Sequence, residues 1–251
     1  MKAQAFKKAL ASGPRYGLFC SIASYHTAEA LAGSGFDFLI FDGEHSPIDI
    51  PLIHTQLMAI SASKTVGIVR VPSNDIVAIK QCLDLGADGI MVPRIDTAEQ
   101  ARRAVSYARY PPGGVRGIAG LTRATQYTRD KTYAANANER FCLVLQIESP
   151  LAMKNLDEIC AVEGVDALFF GPNDYAANSG HLGQPSHPEV QAAVEEGIRR
   201  VRRNGKVAGL LCSEADAPRF AVAGATLVTV GADLSILISG ADGLAKRLKD
   251  N

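Results

Sequence analysis

Three ionisable groups end the apolar run in "FDFLIFDGEHSP", residues 36–47: Asp42, Glu44 and His45 follow a stretch suited to a buried strand. A carboxylate beside an imidazole can fix its tautomer and raise its basicity, and imidazole titrates near enough to neutrality to move a proton at physiological pH. His45 is therefore read as a general base and Asp42 as its orienter. Glu44 has two readings, a carboxylate that steers water near a bound cation or a solvent-facing side chain. Arg70 ends a second run, "VGIVR". A guanidinium leaving a buried strand end can stabilise a developing oxyanion, or can simply close the rim with an ion pair.

Two more apolar runs, "FCLVLQIES" and "DALFFGPND", end in Glu148 and Asp174. If their strands are neighbours, the two carboxylates repel unless a cation lies between them. An oxygen-only pair suits a hard divalent ion, Mg²⁺ or Mn²⁺, that keeps open positions for water and substrate. The competing reading makes each acid a helix cap, in "ESPLAMKN" and "NDYAA". Imine chemistry is disfavoured, because no lysine follows a strand: Lys64 and Lys206 precede strands, and Lys80 and Lys154 lie on helical segments.

What must position these groups is a repeated unit. Eight short β-rich runs begin near residues 16, 36, 66, 88, 141, 166, 207 and 225, separated by segments of helical spacing that open on Ser, Thr, Asn or Asp and close on Gly. Strands apolar on both faces and alternating with helices make a parallel sheet. Eight such units in 251 residues predict one (β/α)₈ TIM barrel over residues 1–251, an α/β single domain whose chemistry sits at the carboxyl ends of the strands. An open doubly wound sheet is the alternative. A helix near Ala3 to Ala11 precedes the first strand and closes the amino-terminal mouth.

Two connections exceed plain turns, residues 109–140 and 173–189, and long loops in a compact domain serve as covers or interfaces. The second carries His181 and His187, which are favoured for an active-site cover. The first carries Arg116 and Arg123, which bind a distal carboxylate of a substrate or pair across a subunit interface. Gly209 and Gly231 are weak candidates for holding a phosphate through backbone N–H groups.

The charge balance, 26 basic against 26 acidic residues, gives no net field to favour nucleic acid or an anionic membrane. The first residues lack the apolar core of a signal peptide, and no run approaches the ~20 apolar residues of a membrane helix. A soluble, cytoplasmic enzyme acting on small molecules is expected. The five cysteines form no CxxC pair and read as small hydrophobes.

Taken together, "FDFLIFDGEHSP", "VRVPSNDIVAIKQCLDLGADGIMVPRIDTAEQA", "RYPPGGVRGIAG", "LQIESPLAMKNLDEI", "VEGVDALFFGPNDYAANSGHLGQPSHPEV" and "LVTVGADLSIL" resemble the HpcH/HpaI aldolase family, metal-dependent 2-oxo-acid aldolases, over nearly the whole chain. The resemblance implies His45 as base, Arg70 as transition-state stabiliser, Glu148 and Asp174 as metal ligands and Gln146 as a substrate contact. It adds Asp84, in "LDLG", as an acid raising the histidine's basicity, although spacing alone makes it a solvent-facing helix residue. It also implies a divalent cation (Mg²⁺ or Mn²⁺, with Co²⁺ a third candidate), a 2-oxo acid and an aldehyde as substrates, and a homo-hexamer, a trimer of dimers, with a swapped terminal helix. Where family members show a small residue and then Asp-Leu-Ser, this chain reads Asn173, Asp174, Tyr175, Ala176. Backbone N–H groups of the Gly171, Pro172, Asn173, Asp174 segment are expected to hold the 2-oxo acid's carboxylate, while Tyr175 leaves the acceptor open. The expected reaction is reversible cleavage of a 4-hydroxy-2-oxo acid to pyruvate and an aldehyde. A citramalyl- or malyl-CoA type thioester lyase and a non-catalytic barrel binding a phosphorylated metabolite are the alternatives.

Overall fold

The structure, a computed structural model, describes residues 2–250. Eight strands close into a barrel in sequence order, each parallel to its neighbours: β1 (Arg15–Cys20), β2 (Phe38–Asp42), β3 (Val66–Arg70), β4 (Gly89–Val92), β5 (Cys142–Ile147), β6 (Ala167–Phe170), β7 (Val207–Leu211) and β8 (Ala225–Ala232). The barrel reading thus holds, and the open sheet does not. Around it run α1 (Lys2–Ser12), α2 (Tyr25–Ala32), α3 (Ile50–Ala59), α4 (Ile76–Asp84), α5 (Ala98–Ala108), α6 (Tyr133–Asn136), α7 (Pro150–Lys154), α8 (Leu156–Cys160), α9 (Pro172–Asn178), α10 (Pro188–Arg203), α11 (Ala217–Ala223) and α12 (Asp233–Lys249).

Side-chain alternation sorts each strand into two cores. Phe38 and Ile40 of β2, Val66 and Ile68 of β3, Cys142 and Val144 of β5 and Phe169 of β6 share the inner cluster with Met91 and Leu227. Leu39, Phe41, Val69, Leu143 and Leu168 belong to the outer cluster packed beneath the helices. Burying one such side chain contributes roughly 1.5–3 kcal/mol, so both layers hold each strand in register. Helix α1 adds Phe6 and Leu10 to the inner cluster, with the Phe6 and Phe38 rings 5.6 Å apart between centroids. The amino-terminal end is therefore closed by α1, as its place before β1 predicts.

The same alternation carries ionisable groups onto the axis at the other end. Two residues beyond Ile40 stands Asp42, two beyond Ile68 stands Arg70, and two beyond Val144 stands Gln146, followed by Glu148. Helix starts do not consume these groups. Ser24, Asp49, Asp75 and Thr97 cap α2 to α5, and Ser149 Oγ accepts the Ala152 N–H at 3.0 Å to cap α7.

Gly209 lies within β7, where an added Cβ would meet the Leu227 carbonyl oxygen at 2.7 Å. It serves strand packing between β7 and β8. Cys20, Cys82, Cys142 and Cys160 are buried free thiols, and burial pushes the Cys82 thiol up to about 12. Among the described residues no helix is long and apolar enough to cross a membrane.

Candidate active site

A cavity of about 400 Å³ opens at the carboxyl ends of the strands, lined by Asp42, His45, Arg70, Gln146, Glu148 and the segment Gly171 to Asp174. All nine are candidates from the sequence; Asp84 is the one candidate missing from the cavity.

Asp42 and Arg70 are register partners on β2 and β3, and their side chains meet as a bidentate pair: Nε donates to Oδ1 at 2.9 Å and Nη2 to Oδ2 at 2.7 Å. Asp42 Oδ1 also accepts the N–H groups of Glu44 at 3.1 Å and His45 at 3.2 Å, which shapes the turn that follows β2. Burial works to raise the Asp42 pKa, but the Arg70 hydrogen bonds and charge outweigh it and hold the carboxyl below its ordinary range. This corrects the expected orienter role. Asp42 grips Arg70 and the backbone of residue 45, and the imidazole itself looks to Glu44, whose Oε2 lies 3.7 Å from His45 Nε2.

Glu44 is the third member of this cluster. Its Oε2 stands 3.0 Å from Arg70 Nη1 without hydrogen-bonding alignment, and that oxygen is buried in a side chain only 14% exposed, which excludes the solvent-facing reading. Burial first, then the neighbouring Asp42 and Asp174 charges, raise its pKa against the pull of Arg70 and His45. The Arg70 guanidinium also lies 4.8 Å from the centroid of the Phe19 ring, so it is fixed from beneath as well. His45 by contrast has a side chain 62% exposed at the rim.

Across the mouth the charges are not compensated. Glu148 is buried at 5% exposure, and burial, followed by Asp174 and Glu44, pushes its carboxyl up to about 8. It accepts the N–H of Arg94 at 3.3 Å and a hydrogen bond from Gln146 Nε2. The backbone of Arg94 adopts the left-handed region, φ 56°, uncommon for a residue with a side chain, and this turns its N–H to the carboxylate. Gln146 Oε1 is buried without a partner. Gly171 leaves the room that Glu148 needs, because a Cβ there would fall 2.6 Å from Glu148 Oε1. Since Ser149 caps α7 and α9 has no side-chain cap, neither Glu148 nor Asp174 is a capping residue.

These residues fit a hard divalent cation. The donors are oxygen atoms alone, the Asp174 charge adds to the cost of ionising buried Glu148, and an amide oxygen stands beside them without a donor. Asn173 and Asp174 lie in the first turn of α9, where backbone N–H groups have no helical acceptor and can face an anion.

Asp84 sits at the end of α4 with Oδ1 2.6 Å from Arg116 Nη2, outside the cavity and apart from His45 in the same chain. Arg116 is fully buried against the Tyr110 ring, and Arg123 donates to the carbonyls of Leu85 and Leu57, so both arginines bind the 109–140 connection to α3 and α4. Neither reaches the mouth. His181 and His187 are not among the cavity's lining residues either, and stack on each other at the start of α10. Tyr175 likewise does not line the cavity.

Ionisable groups alone do not disclose the remaining wall, made by Phe19, Ser21, Phe169, Leu211, Ala232 and Ser235 together with Gly231, which the sequence offers only as a weak phosphate contact. Strand parity was the available signal for Phe19 and Gly231, which occupy inward positions near the ends of β1 and β8. Asp233 braces this wall: its carboxylate accepts the Ser21 N–H at 2.8 Å, the Ile22 N–H at 3.1 Å and the Leu234 N–H at 2.7 Å.

A family model described as HpcH/HpaI aldolase/citrate lyase matches residues 15–240. A 4-hydroxy-2-oxo-heptane-1,7-dioate aldolase of Klebsiella pneumoniae is 46% identical over 250 residues, covering 98% of this chain and 94% of that relative. Among solved structures, an HpcH/HpaI aldolase/citrate lyase family protein of Burkholderia cenocepacia J2315 superposes with a TM-score of 0.94 at 36% identity, covering 98% of this chain and 99% of the other. An HpcH/HpaI aldolase of Desulfitobacterium hafniense DCB-2 does so with a TM-score of 0.90 at 29% identity, covering 98% and 96%.

Proposed function

The chain belongs to the HpcH/HpaI aldolase/citrate lyase family, and from that premise we propose a divalent-metal-dependent aldolase that cleaves or forms 4-hydroxy-2-oxo acids, with pyruvate as the enolate partner and an aldehyde as acceptor. It is a carbon–carbon lyase acting in the cytoplasm on small molecules. The observation that carries this reading is Glu148, buried beside Asp174 with its carboxyl raised to about 8, across one cavity from Arg70 and His45.

Glu148 and Asp174 would hold the cation, Mg²⁺, Mn²⁺ or Co²⁺. When bound, it supplies the positive charge that lowers the energy of the enolate released by carbon–carbon cleavage. The N–H groups of Asn173 and Asp174 bind the substrate carboxylate, and Gln146 orients the 2-oxo end. Arg70, already locked by Asp42 and Phe19, presents a fixed guanidinium to the oxyanion, so little reorganisation accompanies charge development. His45 takes the proton of the 4-hydroxyl as the bond breaks, with the Glu44 carboxylate 3.7 Å from its Nε2. The same proton then returns to the enolate carbon.

We place a second copy of the chain on α12. Leu234, Ile236, Leu237, Ile238, Leu244 and Leu248 along this helix are 44–72% exposed, an apolar surface larger than an isolated subunit keeps. A swapped α12 within a hexamer covers it, and Asp84 then acts only where a neighbouring mouth lies beside it. Light scattering giving a monomer would overturn the assembly.

The test of the activity is pyruvate release from a panel of 4-hydroxy-2-oxo acids, with and without a chelator. Pyruvate that appears only with divalent cation is expected. Full activity after thorough chelation removes the metal from the scheme, and no pyruvate from any such acid removes the aldolase.

A further inference from the structure

We propose that His181, His187 and Glu189 form a second cation site, selective for a borderline transition metal such as zinc and separate from the mouth. Among the described residues these three are the one group of three ligating side chains whose donor atoms all lie within 4.8 Å of one another. Two imidazoles and one carboxylate make a donor set of a different class from Glu148 and Asp174. Nitrogen donors suit Zn²⁺, Ni²⁺ or Cu²⁺, which compete for such sites in the order of their general affinity for ligands, whereas the oxygen pair suits Mg²⁺ or Mn²⁺.

The group is largely held in place already. His181 Nε2 lies 3.1 Å from Glu189 Oε2, and the imidazoles of His181 and His187 stack with centroids 3.8 Å apart. Four-coordinate zinc with bonds of about 2.0–2.1 Å needs donors roughly 3.3 Å apart, so the His181–Glu189 pair is at the required spacing and the widest pair must close by about 1.5 Å. Splaying the stacked rings provides that movement. The cost is the His187 cap, in which Nδ1 accepts the Glu189 N–H at a long 3.3 Å. A cation at the start of α10 is opposed by the helix dipole, and the Glu189 carboxylate in that first turn offsets it. Glu189 is 78% exposed, which leaves the fourth position to water.

The tie would act on the connection behind the substrate-binding turn. His181 donates its N–H to the Ala176 carbonyl at 2.8 Å, and Ala176 lies on α9, the helix that carries Asn173 and Asp174. A metal joining residue 181 to the first turn of α10 therefore fixes the far end of α9 without touching the mouth.

The experiment is a count of bound zinc, by mass spectrometry after dialysis of the full chain against submillimolar zinc in excess Mg²⁺. The wild-type chain is expected to retain a zinc equivalent that both His181→Gln and Glu189→Gln lose, with circular dichroism unchanged in each. Glu148→Gln, which damages the mouth pair alone, is expected to keep it. Zinc retained equally by His181→Gln and Glu189→Gln, zinc lost on Glu148→Gln, or no zinc in the wild type would each overturn the site. The readout is independent of turnover, so it stands or falls apart from the aldolase reading.

Discussion

The two halves of the mouth are built from the same kinds of residue and have opposite electrostatics. On the β2–β3 side, Asp42 is matched by a bidentate Arg70 and held below its ordinary range; on the β5–β6 side, Glu148 faces Asp174 and is raised to about 8. Burial acts on both carboxylates, so burial does not decide the outcome. The partner decides it. One half is complete within the chain and can present a rigid guanidinium and base, while the other half favours an added positive charge. An aldolase of this type needs both, a fixed donor for the oxyanion and a cation for the enolate.

The largest effect should come from breaking the uncompensated half. Glu148→Gln is expected to reduce kcat by more than the ~10²–10³-fold that a single missing oxyanion donor costs. Added Mn²⁺ should not restore it. Yet in cation-free buffer the same variant should melt at a higher temperature than the wild type, because it removes a buried carboxylate that repels its neighbours. A lower Tm in chelator would contradict the assignment of that half.

Breaking the compensated half should have the other signature. Arg70→Met leaves Asp42 buried and unpaired, which costs about 3–5 kcal/mol of stability, and it removes a fixed donor worth about 10²–10³-fold in kcat. Denaturant titration beside steady-state kinetics reads both. Retained stability would mean that Asp42 has another partner.

A pH series separates the halves without mutation. A proton is held more tightly on Glu148 in the folded chain than in the unfolded one, where it leaves near the ordinary 4.5. Stability of the cation-free protein should therefore decline as pH rises from about 4.5 to 8. Excess Mg²⁺ should flatten that decline, since the cation takes the proton's place. The Asp42 contribution has the reverse sign. It is present above the ordinary 3.8 and lost as pH falls below that value. Thermal melts across pH 3 to 9, with chelator and with Mg²⁺, should show the two windows apart.

The smallest effect is expected at a support. Ser149→Ala removes the α7 cap for about 1 kcal/mol, a fall in Tm of roughly 2–4 °C for a chain of this size. A kcat close to wild type is expected. A large loss of activity would mean that Ser149 holds Glu148 more directly than its cap and its bond to Asp96 indicate.

Much of this architecture is legible in the amino-acid sequence. Apolar runs of strand length between capped helical segments specify a parallel closed sheet, and the abrupt change from "FDFLIF" to "DGEH" marks where a strand leaves the core for the rim. Parity along a strand then places Asp42 two residues past Ile40, and Arg70 two past Ile68, on the inner face. The local sequence misleads about partners, however. Asp42 and His45 are three positions apart, so proximity suggests a dyad, yet the β2–β3 register puts Asp42 directly beside Arg70, 28 positions on. Asp84 shows the same limit: nothing near it in sequence discloses that Arg116, 32 positions on in the 109–140 connection, takes its charge.

The amino-acid sequence by itself determined the kind of chemistry and the end of the barrel that holds it, because period-two alternation and strand ends are local properties. Which charge is neutralised and which is left for a cation was decided only by the tertiary structure. Electrostatic energy depends on distance and burial, and strand register and barrel closure set both between residues far apart in the chain.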